Sequence, residues 1–519
     1  MSRTEHTPPQ SPHRGASASS SDEGNQRRAH AVHTMRTMRS ASIASLEVAV
    51  LALILIAVRR ISVAIWRLPN GDVFEYHSYA LAFWTQYPLF RSFPVEYPPL
   101  AIVPFSLTLV PPLADYQSVF TYWMGAFVLL GYLGVRRFAG RRRALAYFVY
   151  LVIGAAATVL ERFDIFPALV TLAALWAAQR RRYTEAYLLL AVGVLLKLYP
   201  IFLLPLVAIE QWRTIGAPNM LQVFAQVPAA RSIAGLPARL RAAIAAVWRS
   251  QEAWRVAEGM AVGLGGVAVG FLVALALNPA GALTGFTYAN NRPLQVESTP
   301  ATLLWLGTLV GIPAHADFSF VSLNYVGPLD VILKPLSAAA LVAGCLWSYW
   351  RQALGKLTIG QAFIACLCAV LVTNKIFSPQ YLIWVVPFVA AEEGVDLVWL
   401  IICALTTTIF PYLYGLRNPI QTVTFGWQFM PTVALRNLLL LYVTIRALTR
   451  SNAPAPATAS DSQPALPAFA APPTASETTP DEQIHGKIQT DETMPLPLEY
   501  AERPDMRIAP TGPILSDLE

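Results

Sequence analysis

Long apolar runs separated by short polar breaks dominate residues 43–448. Runs such as 257–277 and 327–349 are long enough, at about 18 or more mostly apolar residues, to cross the hydrocarbon core of a bilayer. Runs at 43–64, 116–135, 144–160, 164–179, 357–373, 395–414 and 430–448 read the same way, and shorter ones lie at 184–197, 199–211 and 379–391. The pattern predicts an all-α polytopic membrane protein with about twelve transmembrane helices. The run 97–113 departs from it. Pro98, Pro99, Pro104, Pro111 and Pro112 leave barely a dozen residues between the outer breaks. At about 1.5 Å per residue such a piece stops well short of a core roughly 30 Å thick. It reads as a juxtamembrane or re-entrant element of a long first loop, 66–115.

Basic residues orient the spans, because Lys and Arg concentrate on the cytoplasmic side. Arg27, Arg28, Arg36 and Arg39 precede the first run, which should therefore run outward. The loop from Arg136 to Arg143, "RRFAGRRR", is cytoplasmic only if 97–113 does not cross, so charge and proline agree on that segment. The same rule puts "ERFD" (161–164), "LKLYP" (196–200), the stretch 278–326 with its short apolar piece near 301–312, and "NKIFSPQY" (374–381) outside. It puts both termini and an insert at 212–256 inside. Within the insert, 237–256 carries Arg239, Arg241, Arg249 and Arg255 with Trp248 and Trp254, a pattern suited to an interfacial amphipathic helix. Residues 1–42 are Ser-, Arg- and His-rich without the apolar core of a signal peptide, and 449–519 are Pro-, Ala- and Thr-rich. Both read as disordered cytoplasmic tails.

Composition supports the membrane assignment: 55% of the 519 residues are hydrophobic and 13% charged, against about 25% charged in soluble domains. The net charge of +7 reflects orientation rather than nucleic-acid binding, since the arginines flank apolar segments. Cys345, Cys366, Cys368 and Cys403 all fall in apolar runs and read as small core residues, not a disulfide or metal set. His77 and His315 have no second ligand at metal-site spacing, so neither metal nor cofactor is expected. The chain has no P-loop, dinucleotide glycine pattern or nucleophile elbow, and no soluble nucleotide-sugar domain. Chemistry, if any, belongs at the membrane.

With this topology the polar clusters "NGDVFEYH" (70–77), "PVEYPPL" (94–100), "ERFD", "LKLYP", "NNRPLQVES" (290–298) and "NKIFSPQY" gather on the extracytoplasmic face. Lys197, Arg292 and Lys375, with Arg59 and Arg60, stand where the orientation rule disfavours cations, which marks them as functional candidates. A lipid phosphate in the outer leaflet would partner them. Plainer roles exist for each residue. Asp72 with Glu75 fits an N-cap with its capping-box partner, and Glu96 a solvated loop acid. Arg162 and Asp164 fit a local ion pair, and Lys197 and Lys375 fit snorkelling side chains. Tyr97, Tyr199, Trp305 and Tyr381 fit an aromatic belt.

In order and sidedness, the acid in the first loop, "YPPL", "LLKLYPIFLLPL", "RPLQVES" and "NKIFSPQYLIWVVPF" resemble glycosyltransferase family 87. This GT-C-fold family includes polyprenyl-phosphate-mannose-dependent mannosyltransferases, and the likeness covers about 43–448. It implies an inverting transferase that moves a sugar, mannose in the family's best-known activity, from a polyprenyl-phosphate donor to a glycolipid or polysaccharide acceptor of the cell envelope. By the resemblance, Asp72 is the general base, with Glu96 and Asp164 as possible second acids. Lys197, Arg292 and Lys375 bind the donor phosphate, while Glu75, Glu297 and Gln380 serve the sugar or acceptor. The competing readings are a transporter or flippase of lipid-linked sugars and an assembly subunit that contacts envelope-synthesis partners and membrane lipids.

Overall fold

The computed structural model describes residues 30, 42–61, 71–94, 96–216, 250–414 and 427–451. Most of the predicted tails 1–42 and 449–519, and 217–249 of the predicted insert with Arg239, Arg241, Trp248 and Arg249, lie outside the described residues. The described chain is mostly helical. The first loop holds two helices after α1 (Ser42–Ile61): α2 (Gly71–Thr85) and α3 (Pro99–Leu109). Next come α4 (Tyr116–Ala139), α5 (Arg141–Ala155), α6 (Ile165–Gln179), α7 (Tyr183–Leu196) and α8 (Leu204–Thr214). Then follow α9 (Gln251–Leu277), α10 (Pro279–Asn291), α11 (Thr299–Thr308) and α12 (Asp330–Ala353). The last are α13 (Ile359–Thr373), α14 (Leu382–Glu392), α15 (Leu397–Thr407) and α16 (Phe429–Thr449).

Among the described residues, five helices are long and apolar enough to cross a membrane: α1, α4, α9, α12 and α16. The other predicted spans form shorter helices, and two of them are interrupted near a proline. Predicted span 199–211 is split into a 3₁₀ turn, Tyr199–Leu203, and α8. Predicted span 379–391 likewise begins with a 3₁₀ turn, Pro379–Tyr381, before α14. The chain leaves the helix in an extended conformation at Lys197 and at Asn374 and resumes in 3₁₀ turns that hold Pro200 and Pro379 in their first two positions, where the missing N–H costs nothing. Such breaks are tolerated at membrane depth where protein buries them or where they line a cavity. α3 is an 11-residue piece, as the prolines of 97–113 predicted, and its Ala101, Ile102 and Phe105 are buried.

α13 and α14 are buried on nearly every side. This explains why their sequences are apolar all round instead of amphipathic. α14 packs on α5 and α6, α13 on α12 and α16, and α9 on α7. Close helix approach has local causes: a Cβ on Gly154 would lie 2.8 Å from the Cβ of Cys403, so glycine lets α5 and α15 touch. All four cysteines are buried and free.

A small antiparallel sheet departs from the predicted all-α fold. Its strands are β1 (Leu294–Gln295), β2 (His315–Ser319) and β3 (Ser322–Val326), in the order β1-β3-β2. Leu294 pairs with Tyr325 and Asp317 with Asn324. The strands are too short for their periodicity to register, and Phe320–Val321 is not a customary hairpin turn pair. Leu294, Val296, Tyr325, Met430 and Val433 belong to a second apolar core that docks the sheet on α16.

Candidate active site

Interruptions in the helices supply most of the polar side chains of one chamber of about 400 Å³. The N-terminal part of α2 contributes Asp72 and Glu75, and the segment before α3 contributes Glu96, Tyr97 and Pro98. Arg162 comes from the turn between α5 and α6, Lys197 and Tyr199 from the break between α7 and α8. Tyr288 and Arg292 come from the end of α10, Asn374, Lys375, Gln380 and Tyr381 from the break between α13 and α14, and Trp384 from the first turn of α14. Seven predicted site residues thus share one cavity: Asp72, Glu75, Glu96, Lys197, Arg292, Lys375 and Gln380.

Two carboxylates in this region are ion-paired. Asp72 does not cap α2, which begins at Gly71; its carboxylate pairs with Arg162. Asp164 is buried, accepts from Lys197 Nζ at 2.6 Å and from Trp384 Nε1 at 2.6 Å, and does not pair with Arg162 as sequence proximity suggested. Lys197 is not a snorkelling side chain. Its ammonium lies within 5.6 Å of the ring centres of Tyr97, Phe163, Tyr381 and Trp384, close enough for cation–π attraction. Tyr199 stacks on Trp384 at 4.6 Å. Tyr97, Tyr199 and Tyr381 therefore wall this site instead of forming a belt, while Trp305 packs against the second core.

The remaining charges lack such compensation. Glu75 and Glu96 make no ion pair among the described residues, nor do Arg292 and Lys375. Partial burial, with the Glu96 carboxylate nearby, pushes the Glu75 carboxyl above its usual range. Partial burial lowers the Lys375 ammonium, helped by Lys334 and Arg292. Lys375 Nζ donates to the carbonyls of Asn290 at 2.8 Å and Arg292 at 3.0 Å. The backbone N–H of Gln295 returns a bond to the Lys375 carbonyl at 3.0 Å. Two distant segments are thereby fastened together, and their cations face one space. Gln380 accepts from Ser378 Oγ in the same loop.

Glu297 lies apart from the chamber lining. It is buried and takes Arg436 Nη1 at 2.7 Å. The fully buried Arg436 also donates to Asn437 Oδ1 and lies 4.1 Å from the ring centre of Phe377, in the loop that carries Lys375. The sequence pairs Arg162 with Asp164, whereas the structure gives it to Asp72, and it offers no role for Arg436. Arg436 interrupts the apolar face of α16 and Arg162 stands inside "ERFD", signals that mark buried charge without fixing a partner.

Arg436→Met should destabilise the protein by about 3–5 kcal/mol, because it strands a buried carboxylate, while adding Glu297→Leu should recover much of that loss. Thermal denaturation of the detergent-solubilised protein reads both. Neither the protein-family models nor the curated proteins compared with this chain match it.

Proposed function

We propose that this protein is an integral-membrane inverting glycosyltransferase of the GT-C type, similar to family 87. It moves a sugar from a polyprenyl-phosphate donor to a lipid or polysaccharide acceptor at the extracytoplasmic face. In this reading about twelve apolar segments cross the membrane and both termini are cytoplasmic. The observation that carries it is one chamber in which first-loop acids meet two cations that have no carboxylate partner among the described residues. That arrangement suits a reaction in which one substrate gives up a proton and the other leaves as an anion.

The acceptor oxygen attacks the anomeric carbon as Asp72 takes its proton. The bond from that carbon to the donor phosphate oxygen breaks, and the electron pair leaves with the phosphate. Arg292 and Lys375 stabilise the charge that grows there. Arg162 orients the Asp72 carboxylate through their ion pair. Lys197 is matched to Asp164 and acts as a fixed part of the wall, so the phosphate seat falls to the other two cations. Glu75 and Glu96, which line the same chamber, bind sugar or acceptor hydroxyls in this reading. The helices broken at Lys197 and Asn374 favour a second reading as a flippase of lipid-linked sugars, since transporters often bind their cargo at such breaks.

Asp72→Asn should lower transfer from a labelled polyprenyl-phosphate sugar by about 10²–10⁴-fold in membranes, with expression retained. Full activity would sink the base assignment, and loss in Glu96→Gln alone would move it there. Transport without transfer in proteoliposomes would select the flippase. Reporter fusions beside Leu100 and Asn374 should both read extracytoplasmic; a cytoplasmic signal at either would separate the cluster from an outer-leaflet donor.

The lowered Lys375 ammonium gives up its proton earlier than a free lysine as pH rises, so donor affinity should fall early on the alkaline side. Lys375→Arg keeps its charge there and should move that limb of a KM–pH profile upward.

A further inference from the structure

The β2–β3 hairpin turns through Phe320 and Val321, with φ of 54° and 51°. Consecutive left-handed residues in a two-residue hairpin turn favour Asn-Gly, because a Cβ is crowded in that conformation and a β-branched side chain is worst placed of all. An aromatic and a β-branched residue therefore hold this turn against their own preference. The base of the hairpin enforces it: Asn324 Nδ2 donates to the Ser319 carbonyl at 2.8 Å, and Tyr288 Oη to the Phe320 carbonyl at 2.7 Å. Strain kept in this way concentrates where side chains are needed for function.

The position of the tip suggests its use. Phe320 and Val321 both line the chamber, and Val321 is 78% exposed. The Phe320 ring meets Tyr288 edge-on at 5.5 Å, and the Arg292 guanidinium lies 5.5 Å from the centre of that same Tyr288 ring. An apolar tip thus stands one aromatic ring away from a cation without a carboxylate partner among the described residues. We infer that Phe320 and Val321 recognise the first apolar units attached to the phosphate that Arg292 and Lys375 bind. The pair of features selects a phosphate that carries a hydrocarbon chain on one of its oxygens over a phosphate whose substituents are all polar. This rests on the lipid-phosphate donor proposed above and adds the residues that would choose it.

Binding of geranyl phosphate and of methyl phosphate to the purified full-length protein in one detergent, read by thermophoresis, separates head from chain. The wild type should prefer geranyl phosphate by about tenfold, the order expected for partial burial of a short hydrocarbon. Phe320→Asn with Val321→Gly installs the residues the turn prefers. It should raise the thermal midpoint, leave methyl phosphate binding unchanged and abolish the preference. A preference that survives overturns the inference, as does a parallel loss of methyl phosphate binding, which would make the hairpin merely structural. Should the double variant fail to fold, Val321→Ser tests the same loss at one side chain. Tip-dependent binding with no sugar transfer would keep this inference and sink the transferase. Transfer with tip-indifferent binding would do the reverse.

Discussion

The short turn between α5 and α6 carries the interactions on which the rest of the chamber depends. Within four residues it sends Glu161 to Arg59, Arg162 to Asp72, and Asp164 to Lys197 and Trp384. A buried charge is costly unless it is paired and hydrogen-bonded, so these partners are constrained in position as well as in sign. One turn thereby ties together α1, the start of α2 and the break between α7 and α8. Movement of any of these elements would leave a charge exposed to a low-dielectric interior.

Pairing also decides which charges are available to a ligand. Lys197 and Asp164 satisfy one another inside an aromatic enclosure, and Asp72 is held by Arg162. Arg292 and Lys375 have no such carboxylate partner among the described residues, although Lys375 is steadied by two backbone carbonyls. A fixed cation that meets no counter-charge in its own protein is suited to an anionic ligand, since little reorganisation is needed when that ligand arrives. The distinction between a matched and an unmatched lysine therefore carries more functional information than the presence of lysine itself.

The second apolar core supports the other side of the chamber by the same logic. Arg436 on α16 satisfies Glu297 and lies against Phe377, while Gln295 and Lys375 share a backbone hydrogen bond. The sheet, the cation loop and the last long helix thus form one braced unit around the phosphate seat proposed here. The strained tip of the hairpin is held by Asn324 and Tyr288, which supplies a reason for a turn sequence that local preference alone would reject.

The sequence by itself determined the apolar helices and the shortness of α3 between its prolines, because hydrophobic runs and proline sterics act over neighbouring residues. It also identified most of the polar residues that share the cavity. The small sheet escaped it, since strands of two to five residues need partners across the chain to exist. Only the tertiary structure decided which charges meet. Asp164 takes Lys197 across 33 positions in place of nearby Arg162, and Glu297 takes Arg436 across 139 and so turns away from the chamber. Coulomb and hydrogen-bond energies depend on distance through space and on burial, and neither quantity is written in the spacing of residues along the chain.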